Sequence, residues 1–230
     1  MFQNIAEKLY AGLIEEDRYM YLLKGLGVTI QITFFAVLIG IVIGFLIAMV
    51  RSTHDKTGKP KILDLICRIY LTVVRGTPVV VQLMIVYYII FASADISKIL
   101  VAIMAFGMNS GAYVAEIFRS GIMAVPQGQF EAGRSLGFSY GQTMRKIVMP
   151  QAFKNVLPAL GNEFIVLLKE TSVAGYIAIA DLTKGGDIIR SQTYDPFTSL
   201  LTIAAVYLLL VMIFTKLVSI LERRLRSSDD

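Results

Sequence analysis

Apolar residues along this chain come in long blocks divided by short polar interruptions, a pattern too coarse for soluble helices or strands. From Phe34 to Val50 no residue is charged or strongly polar. With Leu26–Thr33 ahead of it, the block runs about 25 residues, or roughly 37 Å of helix. That exceeds the ~30 Å hydrocarbon core of a bilayer. Five membrane segments are predicted: Leu26–Val50, Ile69–Phe91, Ile96–Phe118, Asn155–Ile179 and Phe197–Leu221. In the first, Ala36, Gly40, Gly44 and Ala48 recur every fourth residue, a spacing that lets helix backbones approach closely.

Two of the five blocks are broken. Arg75-Gly76-Thr77-Pro78 sets a proline inside the second, where it removes a backbone donor and disfavours helix at Thr77. Lys169-Glu170-Thr171-Ser172 splits the fourth. Asn155–Leu168 supplies only about 14 residues, or roughly 21 Å of helix, so the break falls at membrane depth or the helix ends there with Lys169 snorkelling. Broken helices of this kind are where transporters place substrate sites.

Composition agrees with the pattern. Of 230 residues, 56% are hydrophobic and the mean hydropathy is +0.67, above the ~45–50% apolar content of soluble domains. The net charge of +5 reflects topology rather than nucleic-acid binding, because the basic residues lie between apolar blocks. Arg51–Arg68, Arg119–Lys154 and Lys216–Asp230 hold fourteen of the 22 Lys and Arg residues, against seven in the alternate segments. The richer set is expected in the cytoplasm, with the N-terminus outside and the C-terminus inside. Residues 1–25 read as an amphipathic segment, with Phe2, Ile5, Ala6, Leu9, Tyr10, Leu13 and Ile14 on one helical face. Residues 26–221 read as one transmembrane domain and 222–230 as a cytoplasmic tail. No secretory leader is expected, since the first apolar run starts late and is too long. The single cysteine, Cys67, forms no intrachain disulfide and reads as a packing residue, and the lone His54 sits in a basic loop with no expected metal role.

The third loop, residues 126–150, has its own local code. Pro126 opens a short helix and Gly137 closes it in a left-handed cap. Ser139-Tyr140-Gly141-Gln142 reads as a capping box for a second helix running towards Pro150. Two short helices there make a rigid projection suited to docking. Glu131-Ala132-Gly133, three residues, Gly137, nine residues, Ile147, one residue and Met149-Pro150 resembles the EAA loop of ABC importer permeases. Gly133 stands where that pattern has Ala, and Met149 where it has Leu. Arg75-Gly76-Thr77-Pro78 with Gln82-Leu83, Gly111–Glu116, Pro150-Gln151-Ala152 and Leu168–Ser172 resemble the polar amino-acid branch. The resemblance implies an all-α fold, the five-helix core of type I importers, in the bacterial inner membrane. It implies a second permease subunit, identical or not, and two ATPase subunits that bind ATP and Mg. It also implies an extracytoplasmic substrate-binding protein. The loop is then the coupling helix, with Glu131, Ala132, Gly133, Ser135, Leu136, Gly137, Ile147 and Pro150 as contact or shaping residues.

The chain itself reads as no enzyme and as holding no cofactor. It has no G-x-x-x-x-G-K-[ST] phosphate loop and no H-E-x-x-H or G-x-S-x-G motif. A channel or ion-coupled transporter would keep the intramembrane charges but would not need the two-helix loop. Ionisable groups in membrane helices are costly and point to function. Glu163 has no basic residue within four positions and faces either a substrate cavity or a partner helix. Asn162, Thr171 and Ser172 around the break in the fourth segment, Arg75, Thr77 and Gln82 around the break in the second, and Asn109 in the third segment are the other substrate candidates. Thr171 or Ser172 is expected to cap the next helical segment. Gln82, Asn109 and Ser110 read more readily as interhelical hydrogen-bonding groups than as ligands, and Glu116 is expected to pair with Arg119 three residues on.

Overall fold

The computed structural model describes residues 7–226, so the expected face residues Phe2, Ile5 and Ala6 and the tail beyond 226 lie outside the described residues. Among them nine α-helices follow an N-terminal π-helical segment (Tyr10–Ile14) and a 3₁₀ turn (Glu15–Asp17): α1 (Tyr19–Thr57), α2 (Lys61–Gly76), α3 (Val79–Ile85), α4 (Lys98–Met123), α5 (Gln127–Ser135), α6 (Tyr140–Thr143), α7 (Met149–Glu170), α8 (Leu182–Thr193) and α9 (Pro196–Arg226). No strand occurs among the described residues.

Among the described residues α1, α4 and α9 are each long and apolar enough to cross a membrane, and α2 with α3 and its π-helical extension to Ile90 is apolar enough only as a bent pair, a broken span or a re-entrant loop. The expected fifth, Asn155–Ile179, is realised as α7 followed by a 3₁₀ segment, Thr171–Ile177. Lys154, Glu163, Lys169 and Glu170 keep α7 from reading as an unbroken apolar span. α4 is the hub: 67% of its most apolar window is buried, against 11% for α9.

The fourfold small-residue spacing does what backbone geometry allows. A Cβ on Gly40 would stand 2.8 Å from Ser110 Oγ, and one on Gly44 would stand 2.7 Å from the Ala115 nitrogen. α1 and α4 therefore touch backbone to backbone. Around that seam Ile32, Val101, Phe106, Leu167 and Ile177 are all but fully buried. Exposed Phe34, Val42 and Leu46 on α1 and Leu208, Leu209 and Met212 on α9 form apolar outer faces, as expected where lipid replaces water.

The break at Thr77-Pro78 turns the chain by 111° between α2 and α3, far more than a kink. The turn frees carbonyls at the end of α2, and Gln82 takes them up: its Nε2 donates to the carbonyl oxygens of Val74 (2.7 Å) and Thr77 (3.0 Å) and to Thr77 Oγ1 (2.8 Å). The N-terminal face is only partly buried. Leu13 packs inward, whereas Leu9, Tyr10 and Ile14 remain exposed.

Candidate functional site

The loop between α4 and α7 is built as its sequence dictates. Pro126 precedes α5, and Gly137 adopts φ 76° beyond it. The Gly137 nitrogen donates to the Arg134 carbonyl (2.9 Å) and the Phe138 nitrogen to the Gly133 carbonyl (3.0 Å). This is a Schellman closure, which glycine adopts without the Cβ penalty. Ser139 Oγ accepts from the Gln142 nitrogen (3.4 Å) and Gln142 Oε1 from the Ser139 nitrogen (2.8 Å), completing the capping box. The second helix runs to Pro150, as expected, and past it. A π-helical turn, Met144–Val148, carries it into α7, and Pro150 is the second residue of α7, just past that turn. α6, the turn and α7 are one rod.

Glu131, Ala132, Ser135, Leu136, Gly137 and Pro150 present themselves to solvent, Ile147 is half-buried, and Gly133 is buried. A Cβ at Gly133 would lie 2.5 Å from both Thr143 Oγ1 and Cγ2, which is why glycine replaces the alanine of the EAA pattern. The projection is braced against the end of α1. The Tyr140 hydroxyl donates to the Ser52 carbonyl (3.3 Å) and Lys56 Nζ lies 5.3 Å from the Phe130 ring centroid, while at the end of α4 Arg119 pairs with Asp55 of α1 at 3.1 Å.

The last contact corrects the expected Glu116–Arg119 pair. Glu116 is held instead by Arg75, from just before the α2–α3 bend, and the Arg75 guanidinium also lies 5.7 Å from the Tyr113 ring centroid. Tertiary proximity supplied a partner from another helix for each member. Arg75 is therefore a bracket between α2 and α4.

Glu163 is buried on α7, with Ser110 Oγ donating to its Oε1 at 2.7 Å. Since Ser110 also abuts Gly40, Glu163 sits where α1, α4 and α7 meet. Next to Ser110, Asn109 Nδ2 donates to Gln82 Oε1 at 2.9 Å, while Asn109 Oδ1 is buried without a partner. Thr77, Gln82 and Asn109 thus form one polar chain across the bend. Asn162 points elsewhere: it is exposed and lines a different cavity, with Lys154 and Pro158.

Thr171 caps no helix. Its buried hydroxyl donates back to the Leu168 carbonyl at 2.9 Å, because the chain tightens into 3₁₀ turns rather than restarting a helix. The cap falls to Asp181, whose Oδ1 accepts from the Lys184 nitrogen at 2.9 Å at the start of α8. Ser172 lines a cavity beside α8 that does not include Glu163, so the two do not share a wall.

Sequence reasoning missed Asp181 and Asp64. Asp181 directly before a polar helical stretch is an N-cap signal. Asp64, 3% exposed, gathers Arg68 at 2.7 Å, His54 at 3.6 Å and Arg51 at 3.7 Å, tying the end of α1 to the start of α2. Arg68 four residues after it was the readable half of that cluster. Among the described residues no group of three His, Cys, Asp or Glu side chains could hold a metal ion.

A bundle of apolar helices, a polar crossing at its centre and a rigid projecting loop define a transport-system permease rather than a catalyst. Residues 40–227 match the family described as binding-protein-dependent transport system inner membrane component, and the chain belongs to it. It is a multi-pass permease subunit of an ABC transport system, with ATP hydrolysis carried by a separate subunit. It is 36% identical over 211 residues to the arginine transport system permease protein ArtQ of Bacillus subtilis, covering 91% of this chain and 94% of that one. It is 32% identical to the L-cystine transport system permease protein TcyB of the same organism, over 98% and 97% of the two chains. A crystal structure of an amino acid ABC transporter with histidines superposes with a TM-score of 0.82 at 43% identity, covering 90% of this chain and 94% of that one. The MetNI methionine ABC transporter in an inward-facing form superposes at 0.79 over 92% and 99% of the chains, but at 20% identity it speaks for the fold alone.

Proposed function

We propose that the chain forms the translocation path for polar amino acids and receives its driving force through the α5–α6 loop. The observation that carries this is the loop: doubly capped, braced on α1, exposing Glu131, Ala132, Ser135 and Leu136, and continuous with the helix that holds Glu163. Two ATPase subunits seat against it from the cytoplasm, a second permease subunit completes the path, and an extracytoplasmic binding protein delivers the substrate. The N-terminus lies outside and the C-terminus inside, in keeping with the Lys and Arg bias. Lipid covers the exposed apolar faces of α1 and α9. The names of the relatives, which include arginine and cystine permeases, support an amino-acid cargo.

Within the path, Glu163 meets a cationic group of the substrate, and the unpartnered Asn109 Oδ1 offers a second acceptor on the same polar crossing. Proteoliposomes holding the chain with its ATPase and binding protein provide the test. Glu131→Lys should abolish uptake while the protein still inserts, and Glu163→Gln should weaken uptake by the equivalent of about 2–5 kcal/mol while basal ATP hydrolysis persists. Wild-type uptake by Glu131→Lys refutes the coupling role. Wild-type uptake of every amino acid by Glu163→Gln leaves that residue as an interhelical anchor to Ser110.

A further inference from the structure

A cavity of about 360 Å³ opens between the 3₁₀ segment, α8 and α9, apart from the Glu163 crossing. Its walls carry Asp181, Lys184, Asp187 and Arg190, with Ser172 and Thr183 as neutral hydrogen-bonding groups. Two acids and two bases cancel. A site for a lone cation or anion would carry an excess of one sign, whereas a zwitterion calls for both signs in one cavity.

The two halves of that lining are unequal. Asp187 is already satisfied: it takes Lys184 Nζ at 2.8 Å and Arg190 Nε and NH2 at 3.0 and 2.5 Å. Those cations hold its carboxyl below the ordinary range. They remain about half exposed, with donors left for a second carboxylate. Asp181 is the opposite case. It is fully buried, only its Oδ1 is used in the α8 cap, and its Oδ2 has no partner. A buried carboxylate oxygen without a donor is costly, and an ammonium that reached it through a small shift of the cavity wall would remove that cost. Tyr176, Leu200 and Ile203 supply an apolar wall for the rest of the ligand.

We infer that this cavity is a second binding site, for the free zwitterion of an amino acid, whose α-carboxylate is taken by Arg190 and Lys184 and whose α-ammonium is taken by Asp181. It is independent of the Glu163 assignment. Ser172 on its wall lies nine residues beyond Glu163 along the same stretch of chain, roughly 13 Å if helical, so the two sites succeed one another along one element.

The test uses the purified permease–ATPase complex in lipid nanodiscs, without the binding protein, and equilibrium binding of radiolabelled L-arginine and L-glutamine. Arg190→Gln should weaken one class of site at least tenfold for both amino acids, and Asp181→Asn should do the same. Agmatine, which lacks the carboxylate, should bind equally to wild type and Arg190→Gln. Leu200→Trp fills the cavity without altering its charge and should abolish the same class of site. It decides the matter together with Arg190→Gln if Asp181→Asn does not fold. Glu163→Gln should leave this class intact, so failure of the membrane-depth reading and failure of this one give different patterns. Unchanged amino-acid binding by both Arg190→Gln and Leu200→Trp overturns the inference.

Discussion

Replacing Gly133 by alanine would write the consensus of the EAA loop into this chain, and it should harm the protein. The new Cβ would stand 2.5 Å from Thr143 Oγ1, 2.5 Å from Thr143 Cγ2 and 3.0 Å from Thr143 Cβ. Two of the three staggered γ positions on Thr143 therefore face Gly133, and with two heavy γ atoms no rotamer empties both. Thr143 is buried at 2% exposure and cannot swing into solvent. Overpacking of this kind costs about 1–3 kcal/mol, and the helix propensity gained from Gly to Ala returns up to about 1 kcal/mol. A net loss of about 1–2 kcal/mol is expected, at the joint between α5 and the rod. Thr143→Ala removes both γ atoms, including an Oγ1 that is buried without a partner, so the double variant should recover most of the loss. Thermal melting of the purified complex measures the cycle, and the ratio of ATP hydrolysed to amino acid transported reports the joint. If Gly133→Ala is neutral or stabilising, or if the two substitutions simply add, the steric argument is wrong.

Three further outcomes are expected. Burial carries the Asp181 carboxyl from its ordinary 3.8 up to about 6, so the folded chain binds that proton more tightly than the unfolded one. Its stabilising contribution is full below about pH 4 and is lost as pH rises through 6, by about 3 kcal/mol. Asp181→Asn, which keeps an N-cap, should flatten the melting temperature across that window, and an unchanged slope refutes the assignment. Gly44→Val should drive α1 from α4, since even a Cβ there meets Val114 Cγ1 at 2.6 Å and the Ala115 nitrogen at 2.7 Å; a melting temperature equal to wild type would contradict that seam. In a Cys67→Ser background, a cysteine at Tyr194, 90% exposed, should react with impermeant thiol reagents in intact cells, and one at Lys59 should not; the reverse pattern inverts the topology.

What could be read in advance divides by the range of the interaction. Pro126, Gly137 and the Ser139–Gln142 box announce themselves because each acts on backbone groups within five residues. Ala36, Gly40, Gly44 and Ala48 declare a close helix contact but not its partner, which turns out to be Ser110 to Ala115 on α4. The ion pairs behave otherwise. Arg75 finds Glu116 41 residues away and Arg119 finds Asp55 64 residues away, so the local i,i+3 rule chose wrongly between partners of equal charge. The angle at Thr77-Pro78 was equally hidden: a proline fixes that a helix breaks but not how far it turns, and the Asn109 side chain that joins Gln82 there comes from α4, 27 residues away. Glu163 was legible as an isolated acid in an apolar run, and its Ser110 partner was not.

The π-helical turn that carries α6 into α7 has a mechanical consequence. Had the chain broken at Pro150, the cytoplasmic projection would be a knuckle, free to move while the membrane helix stood still. Instead one shaft runs from Tyr140 to Glu170, about 46 Å at helical rise. Glu163 rides roughly 35 Å from its lower end, so a tilt of about 5° pivoting there sweeps the carboxylate through about 3 Å, the length of its hydrogen bond to Ser110. Motion imposed where the loop is gripped is carried along one continuous helical path to Glu163, with the π-helical turn and the interior Pro158 setting where that path can bend.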